Sequence, residues 1–190
     1  MDFKLNYNYK KISTEKLLEF FEKDFVESLC MRCPNYSKIW SCPSFNLDIM
    51  KYFSKYRYSY IIGAKVYYKD VADYYNSEDD LNKIINDVYN KARSIFDKQL
   101  LNIELDNDDS KALYAGRCMI CEKCSRQDNK PCLHYDKMRY SLEALGINVS
   151  SITENVLEDK ILWSKDGLPE YCLLIGAVLS NKDYLAIELQ

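Results

Sequence analysis

Between residues 3 and 11 the apolar side chains fall on every second position: Phe3, Leu5, Tyr7 and Tyr9 alternate with Lys4, Asn6, Asn8 and Lys10. A period of two predicts a half-buried strand. The period then lengthens. Leu17, Leu18, Phe21, Phe25 and Leu29 share one helical face, so the pattern predicts one helix, capped by Ser13 or Thr14, that delivers the chain to Cys30. "SYIIGAKVYY" (59–68) is a near-continuous apolar run and predicts a buried strand. The clearest helix is "SEDDLNKIINDVYNKARSIFDKQLL", with Ser77 as its cap and Glu78, Asp79 and Asp80 in its first turn. Its stripe of Leu81, Ile84, Ile85, Val88, Ala92, Ile95 and Phe96 predicts a core face.

The acidic "DNDDS" that follows reads as a solvated turn, because it lacks the glycine and terminal glutamate of a calcium loop. "KMRYSLEALG" predicts a short helix closed by Gly146. "EYCLLIGAVLS" (170–180) predicts a second buried strand and "DYLAIEL" a third. Helices and strands mix without a βαβ rhythm. The expectation is therefore an α+β fold: a single domain over residues 1–190, with a small mixed or antiparallel sheet, helices and two cysteine-rich loops.

Charge and hydropathy narrow the function classes. A net charge of -3, with no basic stripe interleaved with aromatics, gives no footprint for nucleic acid. No apolar run reaches the roughly 18–20 residues of a membrane span. The N-terminal "MDFKLNYNYKK" lacks the apolar stretch of a signal peptide. These features predict a cytoplasmic chain, and they set no oligomeric state. In a reducing compartment, closely spaced cysteines are metal ligands or redox thiols before they are disulfides.

Seven of the eight cysteines fall in two motifs. The second, C-x2-C-x2-C-x7-C, comprises Cys118, Cys121, Cys124 and Cys132. Its three-residue beat turns successive thiolates toward one centre, as in ferredoxin-type loops, and Pro131 presents Cys132 on a stiff turn. Gly116 upstream permits a close backbone approach. The first motif, C-x2-C-x8-C-P, supplies Cys30, Cys33 and Cys42 and is one ligand short of four. Cys172 lies in a buried strand and reads as a small core hydrophobe.

Three arrangements stay open. The first motif holds a [4Fe–4S] cluster with one open iron; the two motifs exchange ligands; or one zinc takes Cys30 and Cys33 with two later cysteines. Tyr36 and Trp40, between the first three cysteines, pack under the loop or shield a cluster. His134 is the single histidine and reads as an exposed loop residue rather than a ligand. Arg117, Lys123, Arg126, Lys130, Lys137 and Arg139 surround the second motif, where they favour a net-negative cluster, dock an acidic partner, or form a solvated face. Glu143 reads as a capping or ion-pair residue, with a catalytic role as the alternative.

"CMRCPNYSKIWSCPSF", "CMICEKCSRQDNKPC" and "RYSLEALGINV" together resemble a prokaryotic family described as predicted metal-binding proteins, domain of unknown function 2284. The resemblance spans most of the chain. It implies that Cys30, Cys33, Cys42, Cys118, Cys121, Cys124 and Cys132 are metal ligands. Ser44 departs from the second proline that many members carry after Cys-Pro, which bears on loop stiffness and not on ligation.

Three functions follow from these readings. One is an iron–sulfur electron carrier serving a redox partner protein. Another is a redox or sulfur-chemistry enzyme with an open iron facing a small-molecule substrate. The last is a structural zinc protein acting through contacts. One or two [4Fe–4S] clusters are the leading expectation and zinc the alternative; the radical-SAM spacing C-x3-C-x2-C is absent.

Overall fold

The computed structural model describes residues 3–68, 78–162 and 169–189, with the backbone alone over 78–85. Four strands, β1 (Phe3–Ser13), β2 (Tyr58–Tyr68), β3 (Ser110–Leu113) and β4 (Tyr171–Ser180), pair in the order β1-β2-β4-β3. Every pairing is antiparallel, which resolves the mixed-or-antiparallel expectation within an α+β fold.

The sheet is apolar on both faces because the strand period of two deals side chains alternately to two cores. On one face Tyr60, Ile62, Ala64 and Val66 of β2 join Leu174 and Val178 of β4. On the other, Ile61 joins Ile175, Ala177 and Leu179. Helix α4 (Glu78–Asp106) covers the first face with Val88, Ala92, Phe96, Leu100 and Ile103. The helix thus extends past the predicted stretch. Ile95, expected in its stripe, is 43% exposed instead, and the Ser77 cap and the side chains of Leu81, Ile84 and Ile85 lie outside the described residues.

The second face is covered by short elements: α1 (Thr14–Leu18), α2 (Lys23–Cys30), α3 (Ile49–Phe53) and α5 (Val149–Ile152), the last running into a wide helical turn over Thr153–Leu157. The single helix expected across Leu17–Leu29 is two. Ser13 caps α1 as expected, accepting from Lys16 N–H. The chain then breaks, because its backbone is taken by a distant segment. Glu22 N–H donates to Gly146 O at 2.9 Å, Asn148 N–H donates to Phe20 O at 2.9 Å, and Phe21 forms a bridge with Ile147. The break rotates the apolar face. Val26 is buried, whereas Phe25 and Leu29 are 52% and 48% exposed.

The predicted helix ending at Gly146 is one turn only. Ile147 N–H reaches Leu142 O at 3.0 Å and Gly146 N–H reaches Glu143 O at 2.9 Å. These are the paired bonds of a helix terminus closed by a left-handed residue, and Gly146 has φ +80°. The third predicted strand, 183–189, does not join the sheet. The free edge of β4 is already taken by β3, with Ser110 opposite Ser180. Leu185 instead packs into the α4-side core beside Ile187 and Leu189. Among the described residues no helix is long and apolar enough to cross a membrane.

Candidate functional site

The first cysteine loop leaves the end of α2, where Cys30 is the last helical residue. Tight turns continue the helix's handedness: Cys33 N–H donates to Cys30 O at 2.9 Å, Tyr36 N–H to Cys33 O at 3.1 Å, and Cys42 N–H to Ile39 O at 2.9 Å. These turns bring Cys30, Cys33 and Cys42 onto one cavity of about 260 Å³, whose far wall is Arg93, Gly116 and Glu143. Burial pushes the Cys30 thiol up to about 11, and the charges of Glu143, Cys42 and Cys33 add to the push. Cys42 is also raised by burial, with Arg117 and Arg126 opposing. Burial outweighs the nearby guanidinium groups and keeps the Cys30 and Cys42 thiols protonated, so a metal bound here would release protons.

The second loop follows β3. Cys118, Cys121, Cys124 and Cys132 line a separate cavity of about 130 Å³. A tight helical turn, Ser125–Asp128, follows Cys124, and Asn129 closes it in the left-handed region. Lys130 N–H then returns to Ser125 O at 3.0 Å, and the Ser125 hydroxyl donates to Pro131 O at 2.7 Å. Those two bonds fold the seven-residue spacer back on itself, which is how Cys132 reaches the cavity of the other three. Burial raises Cys118 and Cys121, and the thiols that act on them belong to the same motif: Cys132 and Cys121 on the former, Cys124 and Cys132 on the latter.

The seven thiols therefore sort by motif, four and three. Asn35 and Arg117 line both cavities, and no cysteine does. Among the described residues no three histidine, cysteine or carboxylate side chains close on one point as ligands of a single ion. All eight cysteines are free.

The two loops are fastened to each other by residues whose role the sequence did not disclose. The Arg126 guanidinium donates to Ile39 O at 2.9 Å, to Cys42 O at 2.8 Å and to Ser44 O, and it lies over the Trp40 ring at 5.2 Å. Trp40 Nε1–H donates to Lys130 O at 3.1 Å, and Cys118 N–H donates to Ser41 Oγ at 2.8 Å. Trp40 also lines the four-cysteine cavity and Tyr36 the three-cysteine one. His134 is exposed at the rim of the four-cysteine cavity.

The expected ring of positive charge is thinner than its sequence count. Arg126 is committed to carbonyls, Arg139 is buried against Glu104 at 2.6 Å, and Lys123 pairs with Asp128 at 2.6 Å. Gly116 approaches the three-cysteine cavity and not the loop it precedes, facing the Arg93 guanidinium. Arg93 is itself nearly buried and donates to Arg117 O.

Arg93, Gly116 and Glu143 also form one wall of a further cavity of about 430 Å³, otherwise lined mostly by apolar side chains such as Val149, Leu173 and Ile175, with Asn86 and Tyr89 adding polar groups. Cys172 lies in this cavity, half-buried and hydrogen-bonded to the Tyr68 hydroxyl at 2.5 Å, and it lines neither cysteine cavity.

A family model described as "Predicted metal-binding protein (DUF2284)" matches residues 10–179, nearly the whole chain. No curated protein and no solved structure matches it.

Proposed function

This chain belongs to the DUF2284 family of predicted metal-binding proteins, and from that premise we propose that its two cysteine loops are separate iron–sulfur sites of a cytoplasmic redox enzyme. The observation that carries the reading is the division of seven thiols into a four-thiol and a three-thiol cavity with no cysteine in common. The donor set fits: soft thiolates select zinc or iron–sulfur clusters over harder cations. The C-x2-C-x2-C beat of Cys118, Cys121 and Cys124 favours the cluster. A tetrahedral zinc with bonds of about 2.3 Å needs its sulfurs drawn to roughly 3.8 Å of one another. A cubane carries its own bridging sulfides and accepts thiols further apart.

The two sites differ in what protein supplies. Cys118, Cys121, Cys124 and Cys132 saturate a cluster, as an electron relay requires. Cys30, Cys33 and Cys42 leave one position unfilled by cysteine, beside the Arg93–Glu143 wall that the large apolar cavity shares. A bound cluster supplies one-electron redox chemistry. The chain's own residues hold it, screen it with Trp40 and Tyr36, and offer a mostly apolar chamber for a small substrate, with the Arg93 guanidinium and the Glu143 carboxyl at one wall. A chamber of that volume lies in the range of ordinary ligand sites.

Anaerobic purification with iron, sulfide and zinc analysis tests the reading. Two loaded cubanes give about eight irons and eight sulfides per chain. The pair Cys121→Ser/Cys124→Ser is expected to remove half of them, and Cys30→Ser/Cys33→Ser the other half. A colourless chain with stoichiometric zinc overturns the proposal, and loss of all iron from either double variant overturns the separation of the sites.

A further inference from the structure

We infer that Glu143 supplies the fourth protein ligand of the three-cysteine centre, its carboxylate occupying the position that no cysteine fills. The inference rests on reading that loop as a metal centre. Its own support is independent of the cysteine count.

Glu143 is partly buried, but its Oε2 is shielded from solvent and has no hydrogen-bond partner among the described residues. A buried carboxylate oxygen without a donor is costly, and native structures leave few such atoms unexplained. The Ser141 side chain and the residue's own backbone act on the carboxylate and Arg93 acts on it by charge, yet none of them hydrogen-bonds Oε2. Glu143 is not a cap: the Ser141–Gly146 turn is closed by backbone bonds and by the Ser141 hydroxyl, which accepts from Ala144 N–H at 3.2 Å. Nor is it the ion-pair partner of Arg93, whose Nε lies 3.7 Å from Asp97 Oδ2 and is otherwise unpartnered.

What Glu143 does face is the cavity of Cys30, Cys33 and Cys42. The backbone that carries it is fixed at both ends, by Tyr114 N–H on Tyr140 O at 2.8 Å and by Glu22 N–H on Gly146 O at 2.9 Å. The second of these bonds ties the turn to the start of α2, the helix that ends in Cys30. The carboxylate and the first thiol are thus set against each other by one rigid unit, and a metal between them would neutralise three thiolates and the orphan oxygen together.

The bond forms from a carboxylate lone pair, with release of any proton that Oε2 carries and no transfer of electrons. A carboxylate is a harder donor than thiolate and is held less firmly by a thiolate-ligated iron. This vertex is therefore the exchangeable one, and Glu143 also lines the 430 Å³ chamber from which a replacing ligand would come.

The test uses the full chain, reconstituted anaerobically with iron and sulfide. Glu143→Gln keeps the shape and removes the anionic donor. It is expected to release iron from the first centre to a chelator at least about tenfold faster than the parent. The electron paramagnetic resonance signal of the reduced four-cysteine cluster should be unchanged. Glu143→Cys is expected to restore iron retention with a shifted signal from the first centre. Glu143→Gln is also expected to leave the metal-free chain as stable to denaturant as the parent or more so, because it removes a shielded carboxyl whose Oε2 has no donor. Retention and spectra identical to the parent in Glu143→Gln overturn the ligand assignment while the centre stands. Unchanged metal content in Cys30→Ser/Cys33→Ser overturns the centre itself, and the assignment with it.

Discussion

Arg126 sits between Cys124 and Cys132 in sequence, yet its guanidinium donates to the other cysteine loop: Ile39, Cys42 and Ser44 each offer it a carbonyl. A guanidinium suits this because its planar fork serves several acceptors at once while its face stacks on Trp40. Removing it leaves those carbonyls without a charged donor. Arg126→Ala is expected to cost about 2–4 kcal/mol in denaturant unfolding, and Arg126→Lys to recover little of that, since an ammonium cannot span the same acceptors. Cys172 gives the opposite expectation. It lines neither cysteine cavity, so Cys172→Ala should leave iron and sulfide per chain unchanged; a loss of metal would make it an eighth ligand.

At Gly176, β4 lies too close to α4 and β3 for a side chain. A Cβ built on Gly176 would lie 2.4 Å from Leu100 Cδ1 and 2.9 Å from Leu113 O. One neighbour is backbone, so the strand cannot simply absorb a methyl group. Gly176→Ala is expected to destabilise by about 1–3 kcal/mol, measured by the denaturant midpoint, as overpacking does. The split between α1 and α2 shows the reverse relation between elements. Two acceptable helical turns were available from Thr14 onward, and the bonds offered by Phe20, Gly146 and Asn148 won because they anchor the turn that carries Glu143. A helical period in sequence reports which residues favour a helix, not which backbone groups a distant segment will claim.

For the whole molecule, Glu104 is the tie between α4, β3 and the segment that leaves the four-cysteine loop. Its carboxylate meets Arg139 at 2.6 Å, Lys111 at 3.1 Å and Ala112 N–H at 2.8 Å. Burial alone would raise its pKa, but Arg139, the Ala112 amide and Lys111 together hold it below the ordinary glutamate value. The unfolded chain therefore takes up the proton first as pH falls, and the contribution is complete above the ordinary value and lost as pH drops through the folded one. Glu104→Gln is expected to cost about 3 kcal/mol near pH 7, because it leaves the buried Arg139 unpaired, and the gap to the parent should narrow below about pH 4.5. Asp97 acts with the opposite sign. Burial pushes it up to about 6, so its share of stability falls as pH rises from the ordinary aspartate value toward 6. Denaturant midpoints of parent and Glu104→Gln at matched pH check the slope; a gap that stays constant down to pH 3 would mean that Glu104 carries no net tie.

Local pattern determined what local physics could settle. The alternation in β1, the apolar run of β2 and β4 and the stripe of α4 each encode a surface that must be buried, so strands and long helix were legible at once. The cysteine spacings were legible too, because two intervening residues bring thiols together within a single turn whatever surrounds them. Only the tertiary structure decided the rest, since it turned on competition between segments far apart in sequence. β3 is four residues long and exists because β4 offered it an edge, which denied that edge to 183–189. The separation of the two cysteine cavities, the clasp of Arg126 and the unpartnered Oε2 of Glu143 depend on where β3, α2 and the turn at Gly146 meet. A single arginine or glutamate in a polar loop carries no mark of the carbonyls or thiols it will face, and those neighbours come from segments that pack together only once the sheet has formed.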